Sequence, residues 1–254
     1  MQRRPRTALS SAEYDAIFAV LDDCADATDL PDFKLRLMDA LHARYRFPNT
    51  TFLTGPTFRG AFRDPSPVTT GRIPGIIDEY HSGWYLDDMF STRESFAALG
   101  RTRAISHSAL RSLPSEAVDY LEGFLYRHRL RSASVLHLSL ANNAHAMVGI
   151  FDDEGKEVVG ERLAGLSLLA RQLSVFAQTL PGGPQRSWRS RLTPRQRELG
   201  ELVADGNTND EIAAVLQIQP DTVKKHVSQI LATTGARNRV EFAKMVLTEK
   251  LTAG

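Results

Sequence analysis

The sequence predicts two folded units, an N-terminal α+β sandwich and an all-α C-terminal domain of four helices. The chain has 254 residues, and at about 100 to 200 residues per domain this length favours two domains over one. Two prolines and two glycines within residues 181–187 can sustain neither a helix nor a strand. Short helices with clear start signals follow this segment. We therefore predict domains over residues 1–180 and 191–254, joined by a linker over 181–190.

The N-terminal domain begins with two predicted amphipathic helices, because apolar residues recur at helical spacing in two runs. These residues, which we expect in the core, are Tyr14, Ile17, Phe18 and Leu21 in the first run and Phe33, Leu37, Met38 and Leu41 in the second. Residues 51–54 predict a short strand. The glycine- and proline-rich residues 55–75 predict a long surface loop.

A hairpin is predicted over residues 134–140 and 146–151, which are rich in apolar and β-branched side chains. Asn142 and Asn143 between them tolerate the positive φ of a tight turn. A helix over residues 115–128 precedes the hairpin, with an apolar face of Val118, Leu121 and Leu125. The helix that follows carries Leu163, Leu166, Leu169, Leu173, Phe176 and Leu180. This order of elements indicates the α+β sandwich.

Composition limits the classes of function. Lys and Arg number 31 against 30 Asp and Glu, so any affinity for a polyanion must be local. Cys24 is the single cysteine, which leaves no disulfide framework and no cysteine cluster for a metal. Arg3, Arg4 and Arg6 near the start are not followed by an apolar run, and no stretch approaches the ~20 apolar residues of a membrane span. We expect a cytoplasmic protein without metal, cofactor or membrane contact.

Helix-start and helix-stop signals divide the C-terminal domain. Thr193 with Gln196, and Thr208 with Glu211, predict capping boxes, while Pro194 and Pro220 occupy first helical positions. Gly206 and Gly235 are predicted to end the first and third helices, and Asn238 with Glu241 caps the fourth, which carries Val240, Phe242, Ala243 and Val246. The second helix is barely two turns long, and a short turn over residues 217–219 separates it from the third.

The third helix has two distinct faces. Val223, Val227, Ile230 and Leu231 form an apolar stripe, and Lys224, Lys225, Ser228 and Gln229 lie on the other face. A short helix, a tight turn and a longer helix with a cationic face form the geometry that places a recognition helix in the major groove of DNA. An isolated basic pair would more simply be a solvated helix face.

Four blocks in fixed order resemble the signature of the LuxR family: LTPR at 192–195, VADG at 203–206, NDEIA at 209–213 and TVKKHV at 222–227. The resemblance implies a helix-turn-helix domain that binds double-stranded DNA, with Lys224, Lys225 and Ser228 facing bases or phosphates. It also implies that Thr222, Asn209 and Thr193 lie near the DNA backbone, and that Val223, Val227 and Ile230 are core. The chain departs from the family pattern at Gln196, at Gln219, a poor helix cap, and at Thr233 and Thr234.

Two N-terminal segments resemble the autoinducer-binding domain of quorum-sensing LuxR regulators and its GAF- and PAS-like relatives. They are residues 80–89 (YHSGWYLDDM) and residues 127–133 (RHRLRSA) leading into the hairpin. The resemblance implies a small-molecule pocket with Trp84 and Tyr85 as an apolar wall and Asp88 accepting from a ligand N–H, and we add Tyr80, Phe52 and His137 to it. Met89, Arg129 and Ala133 depart from the pattern and disfavour an acyl-homoserine lactone. Alternatively, the Trp–Tyr pair is core, and Asp87 and Asp88 cap a helix beginning near Ser91.

Two other classes of function are disfavoured. A phosphorylated receiver would use Asp22 or Asp23, but a second acidic strand end and a later Lys-Pro pair are missing. An enzyme is not expected, since the histidines show no metal-ligand spacing and no nucleophile motif is present.

We predict a sequence-specific regulator that is controlled by a small-molecule effector. We also predict that it is a homodimer paired through the helix over residues 163–180. The alternative is a ligand-independent regulator whose N-domain only mediates dimerisation or protein contacts.

Overall fold

The computed structural model describes residues 8–110, 115–183 and 188–252, and the chain divides into two compact units, residues 1–185 and 186–254. The arginine-rich start and residues 184–187 of the predicted linker lie outside the described residues. Within the described part of the first unit, five strands form one antiparallel sheet in the order β2-β1-β5-β4-β3. The strands are β1 (Asn49–Gly55), β2 (Val68–Thr69), β3 (Ala104–Ser106), β4 (Ser132–Ser139) and β5 (His145–Asp152).

Helices cover both faces of this sheet. They are α1 (Ser11–Ala25), α2 (Leu30–Tyr45), α3 (Phe58–Ala61), α4 (Ile77–Ser82), α5 (Arg93–Thr102), α6 (Ser115–Asp119) and α7 (Gly160–Ala177). One core packs α1, α2 and α7 against one face, and a second core packs α3 to α6 against the other. Successive strand residues point to opposite faces, so Phe52 enters the first core and Leu53 the second. The predicted α+β sandwich is confirmed.

The predicted hairpin is confirmed, with β4 and β5 paired along their whole length. Asn142 and Asn143 have φ values of 57° and 56°, the left-handed conformation that asparagine tolerates. The predicted loop over residues 55–75 is wrong. It contains α3 and β2, and it buries Phe58, Phe62 and Ile73. A Cβ at Gly55 would lie 2.3 Å from the backbone nitrogen of Ala61, so the glycine lets α3 fold back onto the strand end.

Both predicted N-terminal helices form, but the buried face of α1 was partly misassigned. Tyr14 and Phe18 are 42% and 65% exposed, whereas Ile17 is buried. The reason is Glu13, which is only 5% exposed and turns its side of the helix inward. Its carboxylate accepts from the Tyr45 hydroxyl at 3.1 Å and pairs with Arg162 at 3.0 Å, so a charged residue occupies the inner face.

The predicted helix over residues 115–128 is also corrected. It continues from α6 as a π-helix, Tyr120–Tyr126, whose wider turn changes which side chains share a face. Val118 is therefore 38% exposed, while Leu121 and Leu125 are buried. In α7 the predicted leucines at 166, 169 and 173 are fully buried, and the helix ends before Leu180.

The described residues of the second unit hold four helices: α8 (Pro194–Ala204), α9 (Asn209–Leu216), α10 (Pro220–Thr234) and α11 (Arg239–Thr252). Both predicted capping boxes are present, and Gly206 and Gly235 have φ of 90° and 78°. The core includes Leu199, Ile212, Val223, Ile230 and Phe242. Val240 is 61% exposed rather than packed, because Phe242 and Val246 form the inner face of α11. No described helix of either unit is long and apolar enough to cross a membrane.

Candidate nucleic-acid interface and ligand cavity

Helices α9 and α10 form a helix-turn-helix. Gln217 ends α9 in the left-handed conformation, with φ 54°, and Pro220 opens α10 three residues later. Both helices pack on α8 through one apolar core. Gln219 occupies the N-cap of α10 without a side-chain hydrogen bond, as its poor capping chemistry predicts.

The outer face of α10 presents the predicted contact residues to solvent. Val223 and Ile230 are buried and Val227 is half-buried, so the helix is fixed by one side. Thr222, Lys224, Lys225 and Ser228 are exposed on the other side. Neither lysine has an ion-pair partner among the residues that the structure describes. Two cationic side chains are thus available to phosphate or guanine acceptors.

Thr193 and Asn209, which are also predicted to contact the DNA backbone, lie at the starts of α8 and α9, the two helices that pack against α10. Thr193 is exposed at the N-cap of α8, where its hydroxyl accepts from the backbone of Gln196 at 3.3 Å. The Gln196 amide in turn donates to Gln229 of α10 at 3.4 Å. Asn209, the first residue of α9, is half-buried, and its Oδ1 has no partner in the described parts of the chain. Its amide nitrogen is the atom that can donate to a phosphate.

A small cavity lies in the second core of the N-terminal unit and has a volume of about 30 Å³. This is room for about two water molecules. The lining is mostly apolar, and its polar side chains are Thr51, Tyr80, Asp88 and Tyr120. The lining residues are Thr51, Leu53, Ile73, Ile76, Ile77, Tyr80, Asp88, Tyr120, Phe124, Leu125, Leu130 and Phe151.

Asp88 is the charged group at this cavity and is 5% exposed. Oδ2 accepts from the Tyr80 hydroxyl at 3.0 Å, and Oδ1 accepts from the backbone of Phe90 at 2.8 Å. Burial raises the pKa of Asp88 to about 6, although hydrogen bonds from Phe90, Tyr80 and Tyr120 oppose this rise. Asp88 therefore caps the short 3₁₀ helix Met89–Ser91 and also lines the cavity, and its contact with a ligand stays a prediction.

The predicted aromatic wall is corrected, because Trp84 and Tyr85 do not line the cavity. Trp84 is half-buried over Phe124, with ring centroids 5.8 Å apart, and its Nε1 donates to Glu79 at 3.3 Å. Tyr85 turns outward, where its hydroxyl accepts from Arg63 at 3.0 Å. Ile76, Ile77 and Phe124 are among the apolar residues that line the cavity instead.

Phe52 and His137 are also placed away from the cavity. Phe52 lies in the other core, edge-to-face with Phe33 at 6.0 Å, because β1 turns it to the opposite side of the sheet. His137 is buried on β4 between Arg103, which donates to Nδ1 at 3.1 Å, and His145, whose Nδ1 lies 2.9 Å from Nε2. Burial lowers the pKa of His137 to about 3, helped by the charges of His145 and Arg103. It is a neutral structural residue.

Tyr120 and Phe124 were missed by the sequence prediction. The spacing of leucines indicated only a helix there, and the π-helix that turns both aromatic rings into the second core has no recognisable sequence signal. The apolar run around them was the available clue.

Residues 190–246 match the family described as "Bacterial regulatory proteins, luxR family". The C-terminal domain belongs to the LuxR family. The chain is 37% identical over 67 residues to the probable transcriptional regulator ycf29 of Pyropia yezoensis, covering 26% of this chain and 30% of that protein. It is 46% identical over 50 residues to the transcriptional regulatory protein DesR of Bacillus subtilis, covering 20% and 25%. The chain thus spans less than a third of the length of these relatives.

A solved structure extends the likeness to both units. SdiA of Escherichia coli, in complex with octanoyl-rac-glycerol, has a TM-score of 0.51 and 17% identity, covering 97% of this chain and 96% of that one. At this identity the likeness shows a shared fold. The predicted combination of an α+β sandwich with a LuxR-type helix-turn-helix domain is confirmed.

Proposed function

We propose that this protein is a sequence-specific DNA-binding transcriptional regulator of the LuxR type, with α10 as its recognition helix. The observation that carries the proposal is the exposed face of Lys224, Lys225 and Ser228, opposite the face on which Val223 and Ile230 are buried, in a domain of this family. In this assignment these three residues contact bases and phosphates. Thr222, Asn209 and Thr193 contact the DNA backbone. A regulator of this kind acts where the chromosome lies, so we place it in the cytoplasm.

The test is selection by the full chain from a duplex library of random sequence, followed by affinity measurements. We expect enrichment of a shared sequence and tighter binding to it than to a scrambled duplex of the same composition. Because two-fold related recognition helices read half-sites about one helical turn apart, the enriched sequence should be pseudo-palindromic. A chain that enriches no sequence and binds both duplexes equally would contradict the proposal.

For the N-terminal unit we propose a small, neutral amphiphile as the effector, bound with its polar end at Asp88. A buried carboxylate with no cation beside it among the described residues repels an anionic head group but accepts from a hydroxyl or amide. Apart from Thr51 and the two tyrosines, the remaining lining is apolar and suits a hydrocarbon chain. Since the cavity measures only about 30 Å³, binding requires the lining around Ile76 and Ile77 to move outward.

Octanoyl-rac-glycerol, the molecule bound to SdiA, is a suitable probe. We expect it to raise the thermal midpoint of the wild-type chain, and octanoate, which carries a carboxylate head, to raise it much less. The Leu53→Trp variant fills the apolar side of the cavity and should remove the shift. If neither probe shifts the midpoint and native mass spectrometry shows no co-purified molecule, the ligand-independent alternative is favoured.

We also propose a homodimer paired through the outer face of α7. Leu166 and Leu173 are buried against the sheet, so they cannot be the contact residues. Val175 is 68% exposed on the opposite face, and Leu168, two turns earlier on that face, is half-buried. In analytical sedimentation, Val175→Asp should shift the protein toward monomer. Gln172→Asp, on the same helix, should cause a weaker shift. A wild-type chain that sediments as a monomer would remove the proposal.

A further inference from the structure

A single turn of 3₁₀ helix, Trp188–Arg191, precedes α8 and is built into the second unit. Trp188 is fully buried, edge-to-face with Phe242 of α11 at 5.3 Å. On its other side lies Gly200 of α8, where a Cβ would come within 2.7 Å of the indole Cζ3. A glycine inside a helix is unfavourable by about 1 kcal/mol relative to alanine, and here it makes room for the ring. The segment is therefore part of the domain core.

Polar contacts fasten the same turn to α8 and α11. The backbone N–H of Trp188 donates to Oε2 of Glu249 at 3.2 Å. The guanidinium of Arg189 lies 4.8 Å from the centre of the Trp188 ring and pairs with Glu201 of α8. The turn thus has fixed partners on two helices, and Trp188 and Arg189 precede the first residue of the family match, at position 190.

The third attachment is to the recognition helix itself. Nη1 of Arg191 donates to the backbone carbonyl of Thr234 at 3.1 Å. Thr234 is the last residue of α10, where carbonyl groups have no partner within the helix and the helix dipole favours a cation. Arg191 therefore holds the C-terminal end of α10, while the side chains assigned to DNA lie nearer its N-terminal end.

We propose that Trp188 and Arg191 are positioning residues for DNA recognition, which set the orientation of α10 without contacting DNA. A helix held at its far end transmits a small rotation to Lys224, Lys225 and Ser228, and the register of base contacts depends on that orientation. Because this turn lies on the N-terminal side of the domain, the chain that arrives from the first unit enters the DNA-binding domain at these residues. The inference rests on the proposed function, since it presupposes that α10 reads DNA.

The test measures sequence preference, the ratio of affinities for the selected duplex and for a random-sequence duplex, with the full chain. Arg191→Gln removes the bond to Thr234, and we expect the preference to fall about tenfold, equivalent to about 1.4 kcal/mol. Arg191→Lys keeps a donor and should recover most of the preference. Trp188→Phe keeps a smaller ring beside Gly200 and should give an intermediate fall. Arg237→Gln is the matched control, since Arg237 is an exposed arginine of the same unit that pairs only locally with Glu241.

The outcomes separate positioning from other roles. If Arg191→Gln retains the preference of the Arg237→Gln control, the proposal is overturned. It is also overturned if affinity falls equally for both duplexes and the salt slope becomes shallower by about one, because that result marks a direct phosphate contact. A wild-type chain that selects no sequence refutes the proposed function instead, before any variant is compared.

Discussion

The hydroxyl of Tyr80 donates to Oδ2 of Asp88 at 3.0 Å inside a core where no cation neutralises the carboxylate among its described contacts. Burial raises the pKa of Asp88 from 3.8 to about 6, so the folded state holds its proton more tightly than the unfolded chain. The stability from this group is fully present below pH 3.8 and is lost as the pH rises through 6.

The Asp88→Asn variant tests this linkage. Between pH 5 and pH 7 the wild-type free energy of unfolding should fall by about 1 kcal/mol more than that of the variant, which has no carboxyl to ionise at this position. Urea denaturation at both pH values measures the difference. Parallel changes for the two proteins would mean that Asp88 has the same pKa in the folded and unfolded states.

The lysines of α10 should dominate the salt dependence of DNA binding. Replacing Lys224 and Lys225 together by alanine should reduce the slope of log K against log salt by about two for a random-sequence duplex. Both side chains are exposed, so the thermal midpoint should stay near the wild-type value. Lys244→Ala on α11 is the matched control, because Lys244 is also exposed but lies outside the proposed interface. An unchanged slope in the double variant would remove these lysines from the interface.

The N-cap of α10 offers a gain in stability. Gln219 has φ −76° and ψ 144°, a backbone conformation suited to a capping residue, yet its side chain makes no capping bond. Gln219→Ser supplies a hydroxyl for the first turn and should stabilise the domain by about 1 kcal/mol. Thr208→Ala at the N-cap of α9 removes an existing capping box and should destabilise by a similar amount. A serine variant no more stable than wild type would show that another group already satisfies these backbone donors.

Gly123 and Trp84 form a close contact that should not tolerate a methyl group. A Cβ at Gly123 would lie 2.9 Å from Cη2 of Trp84, so Gly123→Ala must displace the indole. We expect a loss of about 1 to 3 kcal/mol in the free energy of unfolding and a change in tryptophan emission. Gly100→Ala on α5 is the control, since nothing lies within 4 Å of its Cβ position and alanine favours the helix. Equal behaviour of the two variants would contradict the contact.

The C-terminal domain was predictable because its signals are local. Thr193 with Gln196 defines a helix start within four residues, and Gly235 provides the positive φ of a helix end. The apolar stripe of α10 then fixes which face is left to solvent. Nothing in these inferences depends on distant parts of the chain, and the domain formed as expected.

Which residues line the cavity depends on tertiary packing, and the periodicity of apolar residues does not encode that packing. Alternation along β1 places Phe52 and Leu53 on opposite faces, but the sequence does not say which face encloses a cavity. The prediction chose Phe52, and the structure uses Leu53. The π-helix introduces a second error of the same kind, since it rotates Tyr120 and Phe124 inward without a local signal. Asp88 and Tyr80 do line the cavity, and the resemblance of residues 80–89 to a family, rather than periodicity, pointed to them.

Polar contacts of Glu79 connect α4 to the end of the π-helix, and we expect these contacts to control how easily the cavity opens. Its carboxylate accepts from Nε1 of Trp84 at 3.3 Å, lies 2.9 Å from Nε2 of His128 and pairs with Arg127. Because the group is partly exposed, Glu79→Ala should cost at most about 1 kcal/mol of global stability. Its larger effect should be local, since α4 then loses its polar contacts with Arg127 and His128, while the Tyr80–Asp88 bond and the β4–β5 ladder remain.

Hydrogen exchange followed by mass spectrometry measures this directly. Amides over residues 77–86 should exchange severalfold faster in Glu79→Ala than in wild type, whereas those of β4 and β5 should be unchanged. Glu94→Ala removes an exposed carboxylate from the first turn of α5 and should leave residues 77–86 as in wild type. If a ligand enters by displacing Ile76 and Ile77, as we propose, faster opening should also speed the association of octanoyl-rac-glycerol. Unchanged exchange over residues 77–86 would mean that apolar packing of Trp84 on Phe124, not the carboxylate, holds this segment closed.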